Sequence, residues 1–412
     1  MASKPIYISL IVIFLCTAMS VYLYQDIQFK TRHSITTGVK EIGQRTKKKM
    51  TKDIQFQTQE SLTKVRKIKT ATEQRTKRTS AKVSRAVRMT LLLAYARTGS
   101  TLTGEILTLQ SKNFYLFEPL HGLIKSLQNQ TEVTFLNGST RAISTVNEIN
   151  DLISKTLYNW FTCNFEELDM ASLTDFFLDV FTPEHETYVT CLGPRNKTRD
   201  ISIETVQRCV GILQDRCLSM TSVTIKTIRT PMKSVEYLLQ TIRHLKVIYL
   251  VRDPRGMFLS RARVGMLRWN ELEEKSKMIC EQIDNDIEEF NKLYTKYPSR
   301  LKRLAYENLC RNPIFVAGKM YQFLRLPYME IVKYQIRNIT TGPILKCSFC
   351  TKRGDALGNA YKWKKDIKED RLKVIDKYCS NVYQKLAYRY LSYQQLKKVK
   401  ETWQAHVDLM QV

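Results

Sequence analysis

A short apolar segment that ends in a glycine-centred turn constrains the fold of this chain more than any other feature. The segment MTLLLAYA, residues 89–96, is followed by the polar turn RTGS and by a helical pattern that extends to about residue 110. A continuous apolar segment of this length that stops at a turn is typical of a buried parallel strand. The sequence therefore predicts a strand, a loop and a helix in direct succession.

The same order of elements recurs along most of the remaining chain. Strand-like segments lie at 113–119, 222–230 and 246–251 and in RLKRLAYENL, with helical patterns between them. Strands that alternate with helices form a parallel sheet with helices on both faces. We therefore predict an α/β fold, a P-loop-like parallel sheet flanked by helices, over residues 89–395, with a C-terminal tail at 396–412.

Much of the positive charge of the chain precedes this predicted domain. The 412 residues carry a formal net charge of +27, which predicts an anionic partner such as nucleic acid, a membrane surface or an acidic polymer. Residues 25–88 hold 18 Lys or Arg and five Asp or Glu, and therefore +13 of the total. We interpret them as a solvated basic stem. Nucleic acid is disfavoured because the basic runs lack interleaved aromatic residues, whereas attraction of anionic glycans stays open.

An uncharged apolar segment lies close to the N-terminus. Residues 6–24 contain 19 positions without a charged side chain, enough to span a bilayer core, and residues 1–5 would form a cytoplasmic tail. A cleaved signal peptide is the alternative, because Ala18 and Ser20 could form a small-residue cleavage site. The length of the apolar segment favours a transmembrane signal-anchor.

The sequence carries conflicting signals about the orientation of this anchor. Lys30 and Arg32 follow the span and only Lys4 precedes it, a bias that by itself favours a cytosolic main body. Ten cysteines, by contrast, suit an oxidising compartment. Four glycosylation sequons also favour the lumen, at Asn129, Asn137, Asn196 and Asn338. We therefore predict a luminal domain with disulfide bonds and with at least one cysteine unpaired within the chain.

The loop after the first predicted strand has the features of an anion site. Backbone N–H groups converge at a helix N-terminus, where the helix dipole adds partial positive charge. Gly99 can adopt the left-handed conformation that turns amides inward, and Arg97 adds a forked set of charged donors. A nucleotide-binding P-loop has a lysine before its hydroxyl residues, whereas Ser100 and Thr101 follow the glycine directly. A serine- or threonine-capped helix without a ligand is the alternative.

A second strand end carries a comparable set of side chains. The segment KVIYLVRDPRGMFLSRAR places Arg252, Arg255, Ser260 and Arg261 around a turn between a strand and a helix. An Arg–Asp ion pair ahead of a helix that starts at Pro254 would explain the turn without a ligand. Two such ends in one parallel sheet can also hold two phosphates of one ligand, across the crevice at the carboxyl ends of the strands.

Together the two loops resemble those of sulfotransferases that use 3′-phosphoadenylyl sulfate (PAPS). More narrowly, they resemble the Golgi carbohydrate 6-O-sulfotransferases that act on galactose, N-acetylglucosamine or N-acetylgalactosamine. RTGSTLTGEIL is similar to the 5′-phosphosulfate loop of that family and LVRDPRGMFLSR to its 3′-phosphate motif, while FYLFEPLH and AYENLCRNP resemble two further segments. The similarity extends over roughly residues 89–390. It implies a single-pass type II protein of the Golgi membrane with a luminal catalytic domain.

The resemblance implies a role for each matching residue. The 5′-phosphosulfate would be bound by the first loop and the start of its helix, at Arg97, Thr98, Gly99, Ser100, Thr101, Leu102 and Thr103. The 3′-phosphate would be bound around the second loop, at Arg252, Asp253, Pro254, Arg255 and Ser260. Asp253 is expected to orient the arginines and not to touch the anion. The adenine would lie near Lys352, Arg353 and Trp363.

The implied reaction transfers a sulfuryl group from PAPS to the primary 6-hydroxyl of a sugar in a glycan or proteoglycan. Arg97 is expected to stabilise the charge that grows on the bridging oxygen, in place of a metal ion. Glu118 is the expected general base because it follows a predicted strand and precedes Pro119. His121 is the alternative base.

Other functions are compatible with parts of the pattern. A P-loop kinase is disfavoured by the missing lysine, and a non-enzymatic, membrane-anchored binder of anionic glycans would use the basic charge without needing Arg97. Zinc is disfavoured because Cys347 and Cys350 have no second metal-ligating pair at a suitable spacing. The sequence specifies neither the acceptor sugar nor the disulfide pairing, and it leaves homo-oligomerisation open.

Overall fold

The computed structural model describes residues 87–403, apart from residues 181, 195–200, 344–350 and 353. The predicted cytoplasmic tail and signal-anchor, the stem as far as residue 86, and the pair Cys347 and Cys350 lie outside these residues. Within the described ranges, none of the helices combines the length and the apolar character that crossing a bilayer requires.

A five-stranded parallel sheet forms the centre of the described domain. In chain order its strands are β1 (Arg88–Ala94), β2 (Asn113–Phe117), β5 (Ser222–Thr227), β6 (Leu245–Val251) and β7 (Leu301–Ala305). Their spatial order is β2-β5-β1-β6-β7, so β1 is the middle strand. Strands β3 (Glu132–Thr134) and β4 (Thr140–Ala142) form a separate antiparallel pair. The parallel α/β sheet predicted from the sequence is confirmed.

Helices cover both faces of the sheet. They are α1 (Ser100–Thr108), α2 (His121–Asn129), α3 (Val146–Thr162), α4 (Met170–Leu173), α5 (Phe177–Val180), α6 (Glu186–Leu192), α7 (Ile203–Leu218), α8 (Val235–Thr241), α9 (Pro254–Arg263), α10 (Leu272–Lys296), α11 (Tyr306–Arg311), α12 (Pro313–Leu324), α13 (Glu330–Thr341), α14 (Ala356–Tyr361), α15 (Trp363–Asp366), α16 (Glu369–Lys385) and α17 (Tyr393–Lys398). Short 3₁₀ helices lie at Phe165–Glu167, Pro183–His185, Met232–Ser234 and Trp269–Glu271.

Consecutive residues of β1 contribute to two different hydrophobic cores. Leu91 and Leu93 pack in the larger core with α3, α7, α8, α10 and α16. Leu92 and Ala94 pack on the other face, with α1 and α11–α14. Successive side chains of a strand point to opposite faces, and both faces here are covered by helices. This double burial explains why the strand is a continuous apolar segment without alternating polar residues.

The strands end earlier than the sequence patterns do. β2 ends at Phe117 and β5 at Thr227, so Glu118 and Arg229 lie in loops at the carboxyl edge of the sheet. The segment RLKRLAYENL is a strand only as far as Ala305, after which α11 begins. These earlier ends place polar residues at the edge where ligands bind in open α/β sheets.

The C-terminal segment belongs to the folded domain at least as far as Trp403. The boundary predicted after residue 395 falls inside α17. Thr402 is fully buried and donates a hydrogen bond to Asp253, and Trp403 pairs with Tyr388 in an isolated β-bridge. The segment up to Trp403 therefore packs against the second loop, whereas the sequence analysis placed residues 396–412 in a C-terminal tail.

Three disulfide bonds join elements of the domain within the described residues. They are Cys163–Cys217, Cys191–Cys209 and Cys280–Cys379, and the last of these connects α10 to α16. Among the described cysteines, Cys310 is free and buried. The pairs agree with the disulfide-forming compartment expected from the cysteine count.

Removing Cys280–Cys379 is expected to destabilise the domain more than removing Cys191–Cys209. The first bond joins residues 99 positions apart and the second joins residues 18 apart. The longer closed loop restricts the unfolded chain more, so paired alanine substitutions should lower the free energy of unfolding by about 4 to 5 and about 3 kcal/mol respectively. Denaturant unfolding under non-reducing conditions measures both losses, and equal losses would contradict the loop-length argument.

Candidate functional site

The loops that follow β1 and β6 contact each other at the carboxyl edge of the sheet. β1 and β6 are neighbouring parallel strands, so their ends lie side by side. Nη1 of Arg252 donates a hydrogen bond to the carbonyl oxygen of Arg97 at 2.8 Å. Nε of Arg97 donates to Oγ of Ser260 at 3.0 Å. The structure therefore brings together the arginines of the two loops that the sequence analysis assigned to one ligand.

Two residues of the first loop have unusual backbone conformations. Arg97 and Gly99 have positive φ values of 70° and 91°, whereas Thr98 between them does not. The N–H of Thr98 donates to the carbonyl oxygen of Tyr95 at 3.2 Å, which closes the turn ahead of α1. The carbonyl oxygens of Ala96 and Arg97 accept hydrogen bonds from Arg261 and Arg252, so arginines of the second strand end fix the peptide orientation of the first loop.

Only glycine fits at position 99. A Cβ atom there would lie 2.1 Å from Cδ2 of Tyr306, at a φ that other residues rarely adopt. Gly99 is the N-cap residue of α1, and no side chain caps that helix end. The first-turn N–H groups of α1 therefore remain available to a ligand.

The hydroxyl residues of the first loop divide into two groups. Thr98 and Thr103 are buried and donate their hydroxyls to backbone carbonyls of the preceding turn, at 2.8 and 3.2 Å. The hydroxyls of Ser100 and Thr101 make no hydrogen bond to other described residues. Leu102 is buried in the core. Side-chain donation to a ligand is thus available from Ser100 and Thr101, while the other three residues shape the loop.

Asp253 and Arg255 form a buried ion pair beneath the second loop. Nε and Nη2 of Arg255 donate to the two carboxylate oxygens of Asp253 at 2.9 and 3.0 Å, and both side chains are fully buried. Burial disfavours the guanidinium charge, yet Asp253 and Tyr383 hold the pKa of Arg255 above its ordinary value. Asp253 therefore orients an arginine, as the sequence analysis expected. Arg255 has no exposed surface for direct contact with a ligand and instead positions the loop that starts α9 at Pro254.

A buried hydrogen-bond network fixes this second loop to distant parts of the chain. The N–H of Asp253 donates to Glu307 at 3.0 Å, and the hydroxyl of Thr402 donates to Asp253 at 2.6 Å. Tyr388 donates to the other carboxylate oxygen of Glu307 at 2.8 Å. Burial raises the pKa of Glu307 to about 7. The position of the second loop thus depends on β7, α11 and the C-terminal segment together.

Buried donors without a hydrogen-bond partner in the described structure lie around Gly256. They include Nε of Arg252 and Nε1 of Trp363, and the neighbouring Arg255 has an unpaired Nη1. A Cβ atom at Gly256 would lie 2.8 Å from the Trp363 indole and 3.3 Å from Nε of Arg252. Unpaired buried donors are rare in folded proteins, so their presence fits a site that a ligand completes. Arg353 lies outside the described residues.

Besides the two loops, a cluster of charged side chains lies at the ends of β2 and β5. Glu118 has a positive φ of 54°, and its carboxylate forms ion pairs with Lys226 and Arg229. Burial and the neighbouring charge of Arg97 lower the pKa of Lys226 well below its ordinary value, while the contact with Glu118 opposes this shift. Lys226 is thus paired with Glu118 and lies close enough to Arg97 for the two positive charges to interact.

The sequence analysis did not identify Lys226 or Arg229 as site residues. The segment TIKTIRT was predicted to be part of a strand. The signal that could have identified Lys226 was its position inside a strand that the fold must bury. A buried lysine requires a carboxylate or another partner. Arg261, which the sequence analysis placed at the second turn without a specific role, donates to the carbonyl oxygen of Ala96 at 3.3 Å.

His121 lies one turn beyond Glu118 and has a carboxylate partner. Its backbone N–H donates to the carbonyl oxygen of Glu118 at 2.9 Å. Nδ1 of its ring lies 2.8 Å from Oδ2 of Asp175. A carboxylate beside Nδ1 favours the tautomer in which that nitrogen carries the proton and Nε2 is an acceptor. Asp175 is a further residue that the sequence analysis did not single out.

No group of three or more His, Cys, Asp or Glu that could hold a metal ion occurs in the described ranges. The site is instead built from arginines, a lysine, backbone N–H groups and a carboxylate. Such a set binds and orients anions.

A model of the sulfotransferase domain matches residues 88–409, which is most of the chain. The chain belongs to the sulfotransferase family. The sulfotransferase is 29% identical over 330 residues to carbohydrate sulfotransferase 1 of Rattus norvegicus, a match that covers 73% of this chain and 79% of the relative. It is 24% identical over 332 residues to carbohydrate sulfotransferase 5 of Mus musculus, with 73% and 80% covered. The resemblance to carbohydrate sulfotransferases is confirmed.

The sulfotransferase is also similar to solved structures. Mouse sulfotransferase SULT7A1 complexed with PAP is 10% identical, with a TM-score of 0.36 and with 74% of this chain and 84% of that chain covered. The sulfotransferase domain from the Synechococcus PCC 7002 olefin synthase is 13% identical, with a TM-score of 0.37 and with 72% and 96% covered.

Replacing Arg255 with methionine is expected to destabilise the sulfotransferase strongly. The substitution would leave the carboxylate of Asp253 buried without its ion-pair partner, which should lower the free energy of unfolding by about 3 to 5 kcal/mol. Arg263→Met is the matched control, because Arg263 pairs with Asp366 at the surface and its loss should cost no more than about 1 kcal/mol. Denaturant unfolding measures both, and similar losses would argue against a supporting role of the buried pair.

Proposed function

We propose that this sulfotransferase transfers a sulfuryl group from PAPS to the 6-hydroxyl of a galactose, N-acetylglucosamine or N-acetylgalactosamine residue in a glycan or proteoglycan. The observation that carries the proposal is the hydrogen bond from Arg252 to the carbonyl oxygen of Arg97. This hydrogen bond joins the loops that follow two neighbouring strands. One doubly phosphorylated donor could therefore contact both loops. The relatives named as carbohydrate sulfotransferases support a sugar acceptor.

The two loops divide the binding of the donor between them. The 5′-phosphosulfate is bound by the loop of Arg97 and Gly99, by the first-turn N–H groups of α1 and by the hydroxyls of Ser100 and Thr101. Arg252, whose Nε has no partner among the described residues, binds the 3′-phosphate with Ser260. Thr98, Leu102 and Thr103 shape the first loop, and Asp253, Pro254 and Arg255 hold the second.

The chemistry requires a nucleophile, a stabilised leaving group and a base. The oxygen of the acceptor hydroxyl forms a bond to sulfur while the bond from sulfur to the bridging phosphate oxygen breaks. The electron pair of that bond stays with the leaving adenosine 3′,5′-bisphosphate, and Arg97 stabilises the charge that grows there. The hydroxyl proton passes to Glu118. Positioning and charge stabilisation supply most of the rate enhancement, because the donor already carries a good leaving group.

Glu118 is the proposed general base because its carboxylate lies at the carboxyl edge of the sheet, directly after β2. Lys226 and Arg229 both pair with it, and a carboxylate retains further lone pairs that can accept a proton. His121 is the second candidate, favoured by the contact of its Nδ1 with Asp175.

The proposal places the catalytic domain in the lumen of the Golgi, behind a signal-anchor at residues 6–24 and a basic stem. Three disulfide bonds in the domain support an oxidising compartment. Three of the four sequon asparagines, Asn129, Asn137 and Asn338, are exposed and therefore accessible to glycosylation. Asn196 lies outside the described residues.

Sulfate transfer from labelled PAPS to keratan, chondroitin and mucin-type glycans tests the proposal. We expect transfer to at least one glycan in the presence of a metal chelator, because the proposed chemistry needs no metal. Arg97→Met should lower turnover about 100-fold or more and should leave glycan binding intact. A wild-type protein that binds glycans without transferring sulfate, or that transfers phosphate from ATP with a metal ion, would contradict the proposal.

Glu118→Gln is expected to lower turnover about 100-fold or more, because glutamine cannot take the hydroxyl proton. Binding of adenosine 3′,5′-bisphosphate, measured by calorimetry, should persist because neither anion-binding loop contains Glu118. Thermal unfolding of the variant controls for loss of the buried ion pairs with Lys226 and Arg229. Normal turnover would remove Glu118 from the role of base, and an inactive His121→Gln would then assign that role to His121.

A further inference from the structure

An exposed aromatic surface lies beside the proposed base. Phe176 is 46% exposed, although phenylalanine is usually buried, and its ring packs against Phe177 with a centroid separation of 4.2 Å. The imidazole of His121 meets both rings edge-on, with centroids 5.2 Å from Phe176 and 4.5 Å from Phe177. We refer to these three side chains, Phe176, Phe177 and His121, as the aromatic platform.

Asp175 holds the aromatic platform in place from two directions. One of its carboxylate oxygens accepts a hydrogen bond from the backbone N–H of Phe177 at 2.8 Å, and the other lies 2.8 Å from Nδ1 of His121. The Asp175 side chain is 7% exposed, so solvent competes little with these contacts. The platform is therefore preorganised and does not depend on the mobility of a surface loop.

A close approach between α2 and α4 makes this arrangement sterically possible. A Cβ atom at Gly122 would lie 2.0 Å from the carbonyl oxygen of Ala171 and 3.0 Å from Oδ2 of Asp175. Only a residue without a side chain allows the start of α2 to lie this close to the segment that carries Asp175. The chain therefore brings His121 to Asp175 through backbone contact as well as through the side-chain hydrogen bond.

The platform joins the edge of the sheet directly at Glu118. Phe117, the last residue of β2, packs edge-on against Phe177 with centroids 5.4 Å apart. Glu118 follows Phe117, and its carbonyl oxygen accepts the hydrogen bond from the N–H of His121. A molecule resting on Phe176 and His121 would therefore lie next to the residue proposed to accept the hydroxyl proton.

The chemistry of the platform matches one face of a sugar ring. A pyranose presents C–H groups on one face and hydroxyls around its rim, so an aromatic ring beside a hydrogen-bond acceptor contacts both. We propose that the aromatic platform is the subsite for the acceptor sugar, with Phe176 stacked on the C–H face of a pyranose and Nε2 of His121 accepting a hydrogen bond from a hydroxyl. Asp175 is a positioning residue that acts through His121. The inference rests on the proposed function only in identifying the bound sugar as the sulfate acceptor.

Steady-state kinetics of the full chain with a keratan-type oligosaccharide and a chondroitin oligosaccharide test the subsite. Phe176→Ala should raise the KM for whichever oligosaccharide is sulfated by about 3- to 10-fold, the loss expected for one aromatic contact. Turnover at saturating acceptor and the KM for PAPS should stay within about twofold, because the donor loops are unchanged. Phe176→Trp should restore the KM, and Asp175→Ala should raise it as Phe176→Ala does.

Phe315→Ala is the matched control. Phe315 is a phenylalanine that is 64% exposed on α12, which follows β7 at the opposite edge of the sheet from β2. Its loss removes a comparable exposed ring and should leave the acceptor KM unchanged. An unchanged acceptor KM in Phe176→Ala, or an equal rise in Phe315→Ala, would overturn the inference.

Direct binding separates this inference from the proposed function. Saturation-transfer NMR of the same oligosaccharides without PAPS should show contact with the wild-type chain and a reduced signal for Phe176→Ala. Binding that depends on Phe176 without any sulfate transfer would support the sugar subsite and refute the sulfate-transfer proposal. Transfer with an acceptor KM independent of Phe176 would refute the subsite alone. If the wild-type chain shows neither sugar binding nor sulfate transfer, both proposals are refuted.

Discussion

The structure of the site depends on one contact, in which the guanidinium of Arg252 binds the backbone of the loop after β1. Because β1 and β6 are adjacent and parallel, both loops leave the same edge of the sheet, and this hydrogen bond sets their spacing. The contact holds because the second loop is itself immobilised, by the buried pair of Asp253 and Arg255 and by Glu307. The arginine that contacts the first loop is thus carried on a rigid base.

The functional groups follow the spatial order of the strands along this edge. Glu118 and the aromatic platform lie at β2, Lys226 at the end of β5, Arg97 after β1 and Arg252 after β6. Under the proposed function, this order separates an acceptor side from a donor side, with Lys226 and Arg97 between them. The acceptor and the donor would then meet along the edge of the sheet. In this arrangement the middle strand carries the arginine assigned to the leaving oxygen.

Features that depend on local sequence could be predicted, and features that depend on distant pairing could not. The strands β1 and β6 and the loops after them are visible as apolar segments followed by glycine, arginine and hydroxyl residues. The ion pair of Lys226 with Glu118 joins residues 108 positions apart, and it exists only because β2 and β5 are neighbours. The burial of Arg255 likewise depends on Trp363 and Tyr383, which the local motif RDPR does not contain.

The hydrogen bond from Thr402 to Asp253 makes the segment around Thr402 a structural component of the second loop. A premature stop codon that removes this segment would therefore impair a loop formed some 150 positions earlier, even though the signature motifs remain intact.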